Sequence, residues 1–356
     1  MKRKFNCLLF LFFPLLAFAN RGEAFKRTEV KVFTVSNGAQ FTVSNKYGQV
    51  VFHVWNKNEV KATVTITGFG KTDAEAESVV SGVTINAENS PTAVSLKSVY
   101  TPKGGRWFQW GGNSSKDYVS IDYDIYIPQS LSGVVAENSF GDIIADKLPC
   151  PAKISLSYGN FDIRDAEDIT MSASYCNKGK FGNAGMVTLS SNYSNVKAEN
   201  LRGLTVTSNY SNLEIGSSEK TTITSKYDNY KIGSAGALTF KGAFSDFSLE
   251  NLKESIEATF SYGDLKIKKV SSGFKSGRLS FSYGDARMNF VRKQPLRVDV
   301  AFSYGDFNTG DMEMKSVESI HKNTSMSYKG FANGGNSQSP LLEAYGKNGD
   351  LSINTY

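Results

Sequence analysis

Histidine is nearly absent from this chain: only His53 and His321 occur in 356 residues. A Ser-His-Asp triad or a histidine-ligated zinc centre would need both well placed. One falls in a strand-like run and the other in a late loop-like stretch, so both read as structural or surface residues. Cysteine is scarce too, with three in all. Cys7 lies in an N-terminal targeting pattern, far ahead of its cleavage site, which leaves Cys150 and Cys176. Proline is rare and no 3.6-residue apolar stripe persists, which argues against a helical fold. After the first twenty residues no apolar run is long enough to span a bilayer as a helix.

The first residues carry a secretion pattern. Met1-Lys2-Arg3-Lys4 is a basic start, residues 8–19 are an apolar run, and Ala17-Phe18-Ala19 is a small-x-small cleavage site. Loss of residues 1–19 removes Lys2, Arg3 and Lys4 and no acid, so the net charge of +6 falls to +3. That balance is too mild for a nucleic-acid binder, which wants a concentrated basic patch. The expected product is exported, without a transmembrane helix in its mature part. An exported cysteine pair invites a disulfide. The repeat register described next argues otherwise: Cys150 lies eight residues before its aromatic and Cys176 one after, so the two should face different walls.

What the chain has in abundance is one motif. An aromatic residue, then Gly or Ser, then Asp or Asn returns about every seventeen residues. It runs through Phe140-Gly141-Asp142, Tyr158-Gly159-Asn160, Tyr193-Ser194-Asn195, Tyr210-Ser211-Asn212 and Phe244-Ser245-Asp246. It continues with Tyr262-Gly263-Asp264, Tyr283-Gly284-Asp285 and Tyr304-Gly305-Asp306. A fixed period of this size means stacked supersecondary units that bury their apolar faces on one another. Around each motif apolar and polar residues alternate, as in Leu204-Thr205-Val206-Thr207-Ser208-Asn209-Tyr210-Ser211-Asn212-Leu213-Glu214-Ile215-Gly216. Period-two alternation is the strand signal, and the Gly, Ser, Asn and Asp between strands suit a corner.

The predicted architecture is therefore all-β: a parallel β-solenoid (β-helix) of coils of about 17–21 residues over 131–356. Roughly a dozen coils at the inter-strand spacing would make a rod about 55–60 Å long. Two positions before the aromatic, Ser191, Ser208 and Ser225 give way to Phe260, Phe281 and Phe302. This predicts a core that widens toward the C-terminus. The corner tyrosines share the phase of the inward residues before them, so the alternation predicts a stacked, largely buried aromatic ladder. An external aromatic stripe is the alternative.

Residues 20–130 read as a separate β-rich capping region. Strands are expected at 41–44, 50–55, 60–66, 83–86, 94–99 and 118–127, with Pro128 closing the section. Thr72 can cap a short helix over 73–80. Such a region would cover the first coil, whose end otherwise exposes unpaired backbone. At the other end, the last coil, 344–356, is expected to be open and available for self-association.

The Asn45-Lys46-Tyr47-Gly48 corner, the Trp55-Asn56-Lys57-Asn58-Glu59-Val60 segment and the helix with Ala74 and Ala76 form a set with two coils, Ser208-Asn209-Tyr210-Ser211-Asn212 and Ser225-Lys226-Tyr227-Asp228-Asn229-Tyr230. With them the mature chain resembles the putative adhesin family of exported bacterial proteins, a domain of unknown function related to the head-GIN type. The resemblance implies a β-solenoid in the envelope of a Gram-negative bacterium, in the periplasm or at the cell surface or outer membrane. It brings no catalytic residues. Cys176 and Lys178 depart from the pattern at Tyr175.

Three features invite a functional reading. Trp107, Phe108 and Trp110 sit between glycine pairs in 104–112, where exposed rings could contact a sugar or a protein. The bland reading is a hairpin folded back on the first coil. Asp246, Asp264, Asp285 and Asp306 share one phase, and a Ca²⁺ ion would relieve their mutual repulsion. Turn chemistry explains them more simply, because Asn195, Asn212 and Asn229 hold that phase without charge. Some β-helices cleave acidic polysaccharides with Asp-bound Ca²⁺ and a basic residue, and Arg278, Arg287 and Arg297 lie nearby in sequence. No compact motif joins them to the acids, so no enzyme is expected, and no cofactor beyond that ion. The expectation is a non-enzymatic, adhesin-like binding or scaffold protein that meets an envelope or extracellular protein or glycan. The alternative is a periplasmic element that reports envelope state.

Overall fold

The computed structural model describes residues 23–102 and 118–356, and about 70% of the chain is strand. The chain winds into a β-solenoid of about nine turns, with successive coils about 18 residues apart. Each rung is two strand segments separated by the aromatic corner. The segments before the corner stack as one parallel wall, here the first wall, and those after it as a second. In mid-stack the ladders keep register over whole coils, as between Asn195–Asn209 and Asn212–Lys226 and between Asn212–Lys226 and Asn229–Ala243. The inward residues of both walls form one continuous core from Val35 to Ile353. The exchange of small for large fillers is seen: Ser191, Ser208 and Ser225 are buried in the middle coils. Phe260 and Phe281 stack at 5.1 Å further on.

At the N-terminal end the expected strands and helix are present. Helix Asp73–Ser81 starts at Thr72, whose hydroxyl accepts the Glu75 N–H while the Glu75 carboxylate accepts the Thr72 N–H. Gly68 and Gly70 let this helix lie directly on strand Glu59–Gly70: a Cβ at Gly68 would sit 2.3 Å from the Ala76 carbonyl oxygen. Strand Glu23–Thr34 was not foreseen. It pairs antiparallel with Glu59–Gly70, which pairs antiparallel with Tyr118–Pro128. Tyr118–Pro128 in turn lies parallel to Val50–Trp55 on the second wall. Antiparallel strands thus finish the parallel stack.

The C-terminal end corrects an expectation. The last coil is not an open end. Strand Leu341–Lys347 lies between Ser276–Ser282 and Leu296–Ser303, parallel to both. Leu351–Thr355 lies between Ala286–Phe290 and Phe307–Asn308. The chain makes one further rung, turns back through the hairpin Met314–Lys322 and Ser325–Ala332, and then inserts its last rung one layer earlier. The hairpin, not residues 344–356, borders the stack. The sequence alternates well in 341–355, but alternation carries no information on the order of stacking.

Rungs approach one another most closely at the corners that use glycine. A Cβ at Gly284 would lie 1.9 Å from the Gly263 carbonyl oxygen, whereas one at Gly133 would meet nothing nearer than 3.6 Å. Gly284→Ala should therefore cost about 2 kcal/mol or more in urea unfolding, and Gly133→Ala well under about 1 kcal/mol. Equal effects would show that the rungs are not held this close.

Candidate functional site

The corner residue sets the outer surface of the rod. From Phe140 through Tyr304 every aromatic of the register has a positive φ, between 50° and 58°. This left-handed conformation is unusual outside glycine, asparagine and aspartate. It reverses the alternation. Val206 and Ser208 point inward, Tyr210 points out, and Ser211 and Leu213 point inward again. The main-chain ladder survives the turn: the Tyr210 N–H donates to the Lys226 carbonyl of the following rung, and the Asn212 N–H to the Ser194 carbonyl of the preceding one.

The expected buried aromatic ladder is thus corrected in one respect. The rings do stack, but on the outside, and those from Phe140 to Tyr283 are 40–54% exposed. Neighbouring centroids are 4.8 Å apart for Tyr158–Tyr175, 4.9 Å for Tyr193–Tyr210 and 4.8 Å for Tyr262–Tyr283, with interplanar angles of 1°, 3° and 1°. The stack starts at Tyr47, whose ring lies 5.9 Å from Phe140. At Tyr47 the left-handed residue is Gly48 instead, at φ 102°. From Tyr47 to Tyr283 the ladder is continuous over roughly 45 Å at the strand spacing. Each ring covers its neighbours' faces, so the stripe offers ring edges to solvent rather than faces.

Beneath the stripe lies a polar ladder that sequence reading missed. Asp228 is buried at the position where the other corners carry Gly, Ser or, after Tyr175, Cys176. Its carboxylate accepts hydrogen bonds from the Ser208 and Ser225 hydroxyls at 2.6 and 2.8 Å and from the Ser211 and Lys226 N–H groups at 2.7 and 3.0 Å. Four donors are what a buried carboxylate needs in place of water. Tyr230, also buried, shares the Ser208 hydroxyl, and burial pushes its phenol well above the ordinary tyrosine range. Ser194 and Ser245 do the same job in neighbouring rungs, accepting the Cys176 and Asp228 N–H groups at 3.0 and 3.1 Å.

The four aspartates do line one edge of the corner, joined by Asp350 from the inserted rung. Asp246 accepts the Asp264 N–H at 3.1 Å, Asp264 that of Asp285 at 2.9 Å, Asp285 that of Asp350 at 3.1 Å, and Asp350 that of Asp306 at 2.8 Å. One oxygen of each of these four acceptors is thus committed to the next rung's backbone. Among the described residues no group of three or more His, Cys, Asp or Glu is placed to hold a metal ion. Arg287 lies 3.5 Å from Asp285, but Arg278 pairs with Glu343 at 2.8 Å and Arg297 donates to the Ser337 carbonyl. The three arginines do not converge on the acids.

The remaining candidates are dispersed. His53 is on the outer face of the second wall, 2.9 Å from Asp124, and His321 is on the exposed strand Met314–Lys322 at the other end of the stack. Cys150 and Cys176 are unpaired and buried. Burial pushes the Cys150 thiol up to about 11 and that of Cys176 in the same direction, so neither is a ready nucleophile. Trp107, Phe108 and Trp110 lie outside the described residues.

The two walls differ in chemistry. On the first, Thr170, Thr188, Thr205, Thr222 and Thr239 form one outward column. On the second, Lys180, Lys197, Glu214 and Lys231 occupy a comparable column, with Lys197 and Glu214 paired at 2.7 Å. Beside that column Gly216 and Gly233 leave an open groove of about 710 Å³ that reaches Lys268.

No protein-family model matches this chain, and no curated protein does. Nine chains among the solved structures match. One is a "putative adhesin" from Bacteroides fragilis, 12% identical, with 93% of this chain and 97% of that one covered and a TM-score of 0.32. Another is a "putative lipid binding protein" from Parabacteroides distasonis, 10% identical, with 92% and 96% covered and a TM-score of 0.30. A third is a "putative cell adhesion protein" from Clostridium sporogenes, 12% identical, with 93% and 100% covered and a TM-score of 0.19. At such scores the likeness carries no conclusion about this chain.

The corner geometry makes a graded prediction at Tyr210. Tyr210→Ala keeps the left-handed turn on a residue that resists it and removes two ring contacts, so it should cost about 1–3 kcal/mol in urea unfolding. Tyr210→Asn loses the same contacts but tolerates the turn, and should cost measurably less. An inward ring would give the opposite order, since a buried Asn is worse than a buried Ala.

Proposed function

We propose that this chain is a non-enzymatic, exported protein of the cell envelope, an adhesin-like binding or scaffold protein that acts through the long sides of its rod. The observation that carries this reading is the external aromatic ladder. It is continuous and about half exposed, and it is held by rungs stacked in register, so it presents one repetitive ridge to a large partner. Contiguous exposed apolar surface of this extent marks interaction sites in soluble proteins. Because the ring faces are mutually covered, the ridge suits a partner that packs against ring edges and bonds to phenol hydroxyls. A sugar stacking flat on a ring finds no open face along its length.

The amino-terminal pattern of residues 1–19 supports export, and no helix among the described residues is long and apolar enough to cross a membrane. The envelope partner is then a protein or glycan met outside the cytoplasm.

Protease shaving of intact cells tests the surface reading, with a periplasmic protein as the internal control. Loss of this protein while the control stays intact is the expected result. Protection until the outer membrane is opened would contradict it and favour a periplasmic structural or regulatory element.

A further inference from the structure

The inserted rung has two properties that together suggest exchange. It is laid in out of chain order, and a short linker rich in Gly, Asn and Ser joins it to the rest. Residues 333–340 read Asn-Gly-Gly-Asn-Ser-Gln-Ser-Pro and are exposed or half-buried. They step from Ser325–Ala332, on one side of strand Leu296–Ser303, to Leu341–Lys347 on its other side.

The slot that receives this rung is specific. Leu342, Ala344, Leu351 and Ile353 are fully buried in it. Its corner copies the register with Asn348-Gly349-Asp350, and Asn348 takes the left-handed turn at φ 52° in place of an aromatic. Gly346 lies between Phe281 and Phe302, whose centroids are 5.9 Å apart across it, and a Cβ there would be 2.3 Å from the Phe302 ring. Main-chain bonds fix both edges: the Tyr283 N–H donates to the Lys347 carbonyl, and the Asn348 N–H to the Ser303 carbonyl.

We propose that residues 341–356 are an exchangeable rung, and that two copies of this chain associate by each inserting it into the other's slot. Until the rung arrives, Ser276–Ser282 and Ala286–Phe290 present unpaired parallel edges, and Arg278 is separated from its partner Glu343 by 65 residues. Open edges of this kind recruit any strand with the right register. A second copy offers one identical in every contact, and an identical element traded between protomers needs no new interface. The linker decides only which copy's rung is nearer, so concentration shifts the balance toward exchange. The inference does not depend on where the protein works or on what the aromatic ridge binds.

Two variants of the full chain, each with one introduced cysteine and with Cys7, Cys150 and Cys176 replaced by Ala, test it. Arg278→Cys and Glu343→Cys lie side by side on adjacent parallel strands, within disulfide reach if the Glu343 strand of one chain occupies the other's slot. The two proteins are mixed at high concentration, both natively and after refolding together, and oxidised mildly. A disulfide-linked heterodimer is expected, several-fold above a control in which Lys231→Cys, on the second wall, replaces Arg278→Cys. Melting curves establish that each variant folds. A heterodimer yield no greater than the control, under both conditions, would overturn the proposal and leave the rung closed within its own chain.

Discussion

The turn that each rung makes at its aromatic residue is where strain and stacking meet. A left-handed residue with a full side chain costs on the order of 1 kcal/mol. The corners from Phe140 to Tyr304 adopt it throughout. What offsets the cost is the ring itself: an aromatic pair contributes about 0.5–1.5 kcal/mol beyond burial, and each inner ring of the ladder has a neighbour on both faces. The two terms are of similar size, so from Phe140 to Tyr283 the stack can offset the turn, while Tyr304 takes the turn beyond the end of the ladder. Asn348, at the inserted rung, takes the turn without a ring, as asparagine can. The spacing of the stripe is simply the spacing of the strands.

Because the turn reverses the alternation, it also decides what lies under the corner. The residue after the aromatic is brought inside, and there the chain uses Gly where rungs touch, or Ser and Asp228 where N–H groups of the next rung need acceptors. Where glycine is used, the aspartate that follows supplies the acceptor instead, as Asp264 does for Asp285. Three of the four expected aspartates, Asp246, Asp264 and Asp285, therefore have a structural occupation, and Asp350 takes the place that Asp306 was expected to share. The proposed function rests on the outer surface that this arrangement leaves: a ridge of ring edges between a wall with a threonine column and a wall with lysine and glutamate.

Much of this was legible from period and alternation. The motif interval gave the coils, the phase of Leu204, Val206 and Ser208 gave the inward face, and Thr72 with Glu75 gave the one helix. The direction of the tyrosines was misread because the alternation was carried through the corner. The parity was nevertheless present: Ser208 and Leu213 are five apart, so both can be inward only if the alternation slips once between them. The inserted rung was missed for a different reason. Asn348-Gly349-Asp350 is a copy of the corner without its aromatic, and which rung stacks on which is decided by long-range pairing that leaves no local mark. Strand Glu23–Thr34 and the hairpin ending at Ala332 belong to the same class, since they close the sheet rather than repeat it.

The outer ridge and the polar ladder beneath it depend on the corner rings pointing outward. Hydroxyl-radical footprinting of the folded protein, with modified tyrosines mapped by mass spectrometry, measures this directly. Tyr158, Tyr175, Tyr193, Tyr210, Tyr227, Tyr262 and Tyr283 should be modified readily, while buried Tyr123 and Tyr230 stay protected until the protein unfolds. Protection of the corner tyrosines to the level of Tyr123 would place the ladder inside the rod and contradict the left-handed corner.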